Sequence, residues 1–194
     1  MRATIIHQIE QSIEVKKLLL ADQSLILQME EAAKVIITAY QNGHKTLIAG
    51  NGGSAADAQH FAGEMVSKFY FDRPGIASIA LTTDTSILTA IGNDYGYDRI
   101  FERQIQAQAT KGDVFIGIST SGNSTNIVQA LMACKEKEVF SIGLTGEKEC
   151  RMDRLCDLCI KVHSNETPRI QEAHILIEHI ICCLVEESLF GHIR

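Results

Sequence analysis

Short apolar runs alternate with amphipathic helical stretches over most of this 194-residue chain, and that alternation restricts the fold more than any other feature. Thr46 to Ala49, Ala77 to Leu81, Val114 to Ile118, Val139 to Leu144 and Leu158 to Val162 read as strands. Most are apolar at successive residues, so both faces expect cover. Helical patterns separate them, at Ser54 to Lys68, Asp84 to Ile91, Tyr97 to Ala109, Ser124 to Lys137, and about Pro168 to Leu189. The pattern predicts an α/β fold, a parallel sheet flanked by helices. Ahead of the first strand, residues 3–42 carry two helical blocks. Leu25, Leu27, Met29, Ala32, Ala33, Ile36 and Ile37 form an apolar face on the second, and Asn42-Gly43 stops it.

Composition narrows the classes. At 45% hydrophobic, with two prolines and no Gly/Ser linker, the chain suits one core and a single domain over 1–194. The N-terminal helices occupy 1–42 and the α/β core 43–194. A formal charge of -6 without a basic run argues against nucleic acid as a partner. No apolar stretch approaches the roughly 20 residues of a membrane helix. The N-terminus lacks the pattern of a signal peptide, so a cytoplasmic location is expected. Six cysteines, including the pair Cys156 and Cys159, read as reduced thiols, mostly buried, because no second pair follows at zinc-ribbon spacing.

Parallel sheets bind ligands at the carboxyl ends of their strands. Two loops fall there. Gly50 to Ser54 turns on glycines into a helix, with Ser54 and Asp57 spaced as a capping box. Along that helix His60 and Glu64 stand at i, i+4, on one face. Ser119 to Ser124 sets four hydroxyls, Ser119, Thr120, Ser121 and Ser124, around Gly122 before the next helix. Hydroxyls and free helix N–H groups bind a phosphate without lysine. In the last helix Gln171 and His179 share one side, and so do His174 and Glu178. Spacing alone does not choose between those pairs. Asn93-Asp94 reads as a polar break between two helical patterns.

Taken together, these segments resemble the sugar isomerase (SIS) domain, and more closely its phosphoheptose isomerase branch. The resemblance rests on GNGGSAADAQHFAGE, AIGNDYGYDRIF, GDVFIGISTSGNSTNIVQA, the LTG after the fourth strand and TPRIQEAHILIEHI, in that order. It implies a flavodoxin-like domain, a homotetramer assembled through the N-terminal helices, and active sites at subunit interfaces. It implies one zinc ion per subunit on His60, Glu64, Gln171 and His179, which selects the Gln171/His179 pair. Two imidazoles, a carboxylate and an amide oxygen form a reasonable zinc set. The implied substrate contacts are Asn51, Gly52, Gly53, Ser54, Glu64, Asn93, Asp94, Ser119, Thr120, Ser121, Ser124 and Gln171.

The implied reaction interconverts D-sedoheptulose 7-phosphate and D-glycero-D-manno-heptose 7-phosphate, an early step toward lipopolysaccharide core or other surface glycans. It moves a proton between C1 and C2, with Glu64 as base and His179 as acid partner. Pro168 departs from relatives that carry Asp before the Arg, so no role of that Asp transfers. The alternative is a non-catalytic tetrameric scaffold that binds the replication initiator. Retention of both Glu64 and His179 argues against it. Another SIS enzyme or sugar-phosphate sensor would need only the two loops.

Overall fold

The computed structural model describes residues 1–193. Two helices, α1 (Arg2–Ala21) and α2 (Gln23–Gln41), precede the sheet. They meet at Asp22, whose carboxylate accepts the N–H groups of Ser24 and Leu25 and so caps α2. The remaining order is β1 (Thr46–Gly50), α3 (Gly53–Val66), β2 (Ser78–Ala80), α4 (Thr85–Tyr95), α5 (Ile100–Gln108), β3 (Val114–Ile118), α6 (Thr125–Lys137), β4 (Phe140–Thr145), β5 (Leu158–Lys161) and α7 (Thr167–Phe190).

All strand pairs are parallel, in the order β2-β1-β3-β4-β5. That is the flavodoxin-like order, and it reverses direction between β1 and β3. Every residue of β1 and β3 is buried, as their unbroken apolar runs predict. Alternate strand residues feed two cores. Ile48, Ile116, Ile142 and Ile160 pack with α1, α2, α3 and α7. Leu47 and Phe115 pack with α5 and α6 on the opposite face.

Three expectations shift. The break between the fourth and fifth helices falls at Gly96, where φ is +87°, so Asn93 and Asp94 lie inside the last turn of α4. Leu27 is exposed rather than part of the buried face of α2. Of the six thiols only Cys134 and Cys182 are buried; the other four are partly exposed, and none is bridged. A stripe of Ile5, Ile6, Ile9, Ile13 and Leu20 on α1 is also exposed.

Candidate active site

The two loops leave β1 and β3 at the carboxyl edge, on either side of the point where strand order reverses. In such sheets that crevice is the ligand site. Gly52 adopts a φ of +56° and acts as N-cap of α3. The chain therefore enters the helix one residue earlier than the sequence implied. The expected capping box does not form: Ser54 is buried in the first turn, and no side chain caps this helix. Asp57 is instead partly buried, with Oδ2 unpaired, and burial raises its carboxyl pKa against the pull of His60.

From this start α3 projects His60 and Glu64 toward α7. The ligand atoms of His60, Glu64 and His179 all lie within 4.8 Å of one another. His60 Nε2 is 2.9 Å from His179 Nε2 and 3.3 Å from Glu64 Oε1. Donors about 2.0–2.1 Å from a tetrahedral metal stand about 3.3 Å apart, so the donor set needs little expansion to hold a cation. Gln171 lies against the start of α3. A Cβ on Gly53 would stand 2.3 Å from its Nε2, so glycine makes room for that amide. His174 and Glu178, the competing pair on α7, are both fully buried. Burial lowers the His174 pKa to about 4, although its Nε2 lies 3.2 Å from the Thr145 carbonyl. Burial, with the charge of Asp57, raises the Glu178 carboxyl well above its usual range. His174 is thus a neutral core group at pH 7, while burial favours the protonated form of Glu178.

The second loop gathers its hydroxyls. Ser119 Oγ is 2.9 Å from Ser124 Oγ and 3.5 Å from Ser121 Oγ, and Ser121 Oγ accepts the Asn123 N–H. Ser124 is the N-cap residue of α6 but spends no side-chain bond on capping. First-turn N–H groups stay near the loop, where they favour an anion. Beside it lies a cavity of about 210 Å³, lined by Thr120, Ser121, Asn123, Lys148, Asn165 and Thr167 among others.

The SIS domain family model matches residues 12–146. This chain belongs to the SIS-domain family. It is 70% identical over 180 residues to "Phosphoheptose isomerase 2" of Campylobacter jejuni, covering 93% of this chain and 90% of that one. It is 65% identical to the phosphoheptose isomerase of Aneurinibacillus thermoaerophilus, covering 94% and 92%. Among solved structures, phosphoheptose isomerase GmhA from Neisseria gonorrhoeae superposes with a TM-score of 0.89 at 41% identity, covering 96% and 98%.

The SIS crevice also holds residues that sequence reading passed over. Asn51 pairs with Asn126, amide to amide, and accepts a third bond from Tyr97. Asn93 and Asp94 are exposed and bond to each other, so the α4 end meets the glycine loop through Tyr97. Below the His60 cluster, Arg73 and Glu186 form an ion pair with both side chains 1% exposed. Arg73 also donates to the carbonyls of Glu64 and Met65, and Glu186 accepts the N–H groups of Phe69 and Tyr70. This latch joins the end of α3 to α7. Its partners are 113 residues apart, so no local pattern announces it.

Proposed function

We propose that this SIS domain is an aldose–ketose isomerase that interconverts D-sedoheptulose 7-phosphate and D-glycero-D-manno-heptose 7-phosphate. The convergence of His60, Glu64 and His179, together with a hydroxyl-lined helix N-terminus at the carboxyl edge of the same sheet, carries the reading. Close likeness along nearly the whole chain to proteins named phosphoheptose isomerase supports it. The scaffold alternative is not favoured, because these relatives are named as isomerases and the acid–base groups are present.

In this reading Ser119, Thr120, Ser121 and Ser124 hold the phosphate, and the sugar extends toward α3 and α7. Asn51, Gly52, Gly53 and Ser54 border it from the glycine loop, Asn93 and Asp94 from the end of α4, and Gln171 from α7. His60, Glu64, Gln171 and His179 would hold one zinc ion per subunit, which supplies a positive charge for the sugar oxygens. Glu64 takes the proton from one carbon and returns it to the next through a carboxylate oxygen left free. His179 moves the hydroxyl proton through Nδ1, since Nε2 faces His60. A single base on one face suffices, because C1 and C2 are adjacent. The exposed stripe on α1 fits a homotetramer built through residues 1–42.

The test is a coupled assay with sedoheptulose 7-phosphate, with and without chelator, on wild type and Glu64→Gln. Gln keeps the shape and an oxygen but cannot accept the C–H proton. A positioned base contributes about 10²–10⁴-fold, and a loss of that order is expected. His174→Ala, assayed as assembled protein, should keep most activity. Near-normal turnover by Glu64→Gln, or no turnover by folded His174→Ala, would overturn the assignment.

A further inference from the structure

Asn126 fixes the direction in which Asn51 presents its amide. Asn126 is only 2% exposed and occupies the first turn of α6. Its Oδ1 accepts the backbone N–H of Ile127 at 3.0 Å. A backbone N–H can only donate, so that contact sets which end of the Asn126 amide is oxygen. The same Oδ1 accepts Asn51 Nδ2 at 2.9 Å, and Asn126 Nδ2 donates to Asn51 Oδ1 at 2.9 Å. Rotating Asn51 by half a turn would set N–H against N–H and oxygen against oxygen. Tyr97 adds a second constraint, because its hydroxyl donates to the same Asn51 Oδ1 at 2.9 Å.

The first-turn N–H of a helix thus orders two side-chain amides in series. Asn51 has both oxygen contacts satisfied and one Nδ2 hydrogen bonded to Asn126. Among the described residues its second Nδ2 hydrogen has no hydrogen-bond partner, so Asn51 has a donor to offer to a sugar oxygen. Tyr97 is exposed along its ring yet bonded at its tip, and it follows Gly96, which ends α4. It ties the α4 segment to the glycine loop at the residue that meets the sugar.

We propose that Asn126 and Tyr97 are positioning residues that hold Asn51 as a hydrogen-bond donor toward the substrate. The proposal rests on the isomerase reading and deepens its substrate-recognition half. Neither residue touches the reacting carbons. Each acts through Asn51, and that requirement separates it from a packing role.

The experiment is a pair of double-mutant cycles on the assembled protein. Asn126→Ala and Tyr97→Phe are each made in wild type and in Asn51→Ala, and kcat/KM for sedoheptulose 7-phosphate is measured. Each single substitution in wild type should lower kcat/KM, Asn126→Ala by about tenfold, as expected for about 1.4 kcal/mol of lost positioning. In Asn51→Ala the same changes should cost almost nothing, since residues acting through one partner are not additive. Full additivity in both cycles would overturn the proposal. Tyr97→Phe removes one exposed hydroxyl and keeps the cycle readable if Asn126→Ala fails to fold. A second readout needs no turnover. With 15N-asparagine labelling, the Asn51 side-chain NH2 signal, assigned by its loss in Asn51→Ala, should move in both variants. An unchanged Asn51 signal in both would refute the lock. Inactive wild type with a moving Asn51 signal would instead refute the assigned reaction and leave the lock standing.

Discussion

Glu186→Gln tests whether a remote latch holds the two halves of the site together. Glu186 accepts the N–H groups of Phe69 at 2.7 Å and Tyr70 at 2.6 Å, and the Arg73 Nε at 2.9 Å. Gln keeps the shape but offers one oxygen where there were two, and turns an NH2 toward a donor. The Arg73 guanidinium is left charged at 1% exposure. Breaking a buried pair by removing one partner costs about 3–5 kcal/mol. For a subunit of this size each kcal/mol lowers Tm by about 2–4 °C, so a fall of about 6–20 °C is expected. Urea titration followed by circular dichroism measures the loss, at fixed protein concentration so that the proposed assembly contributes equally to both proteins.

The pH dependence gives an independent check on the same latch. Burial alone would raise the Glu186 carboxyl, but the Phe69 and Tyr70 N–H groups and the Arg73 guanidinium outweigh it and lower the pKa below the usual 4.5. A carboxylate with a depressed folded-state pKa contributes stability that is present above the unfolded pKa. That contribution is lost as pH falls through the folded value. The gap between wild type and variant should therefore be full at pH 7 and narrow below about pH 4.5. A gap under about 1 kcal/mol at pH 7, or one that stays constant on acidification, would refute the reasoning.

Three further outcomes are expected. Ser121→Ala should raise KM with little change in kcat, since phosphate contacts exist in both ground and transition states; the opposite split in steady-state kinetics would remove Ser121 from the phosphate site. Gly53→Ala puts a methyl 2.3 Å from Gln171 Nε2, so the end of Gln171 must swing away; thermal melting should change little while zinc content and turnover fall together. If the proposed assembly uses α1, replacing Ile9 and Ile13 on its exposed face by Glu should give smaller particles in sedimentation velocity, whereas an unchanged sedimentation coefficient would remove α1 from the interface.

Much of this fold was legible because it follows from local pattern. The buried runs at Val114 to Ile118 and Thr46 to Ala49 show period-free apolarity, which only a doubly covered strand tolerates. Gly52 marked the turn into α3, and the i, i+4 spacing of His60 and Glu64 put both on one face before any tertiary contact was known. The Ser119 to Ser124 loop announced itself through its hydroxyls. The start of α3 was misplaced by one residue because Ser54 and Asp57 imitate a cap, while the left-handed conformation of Gly52 turns the chain first.

Spacing left the two pairs on α7 open and the family resemblance pointed to Gln171 and His179, but only the tertiary structure shows which side of the helix is buried. Helical spacing says which residues share a side but not which side meets α3. Packing against the sheet buries His174 and Glu178 and leaves His179 facing His60. The Asn51–Asn126 pair and the Arg73–Glu186 latch span 75 and 113 residues. Hydrogen bonds of that range depend on where the parallel crossovers bring the chain back. A sequence records the donors and acceptors, whereas strand order determines which of them meet.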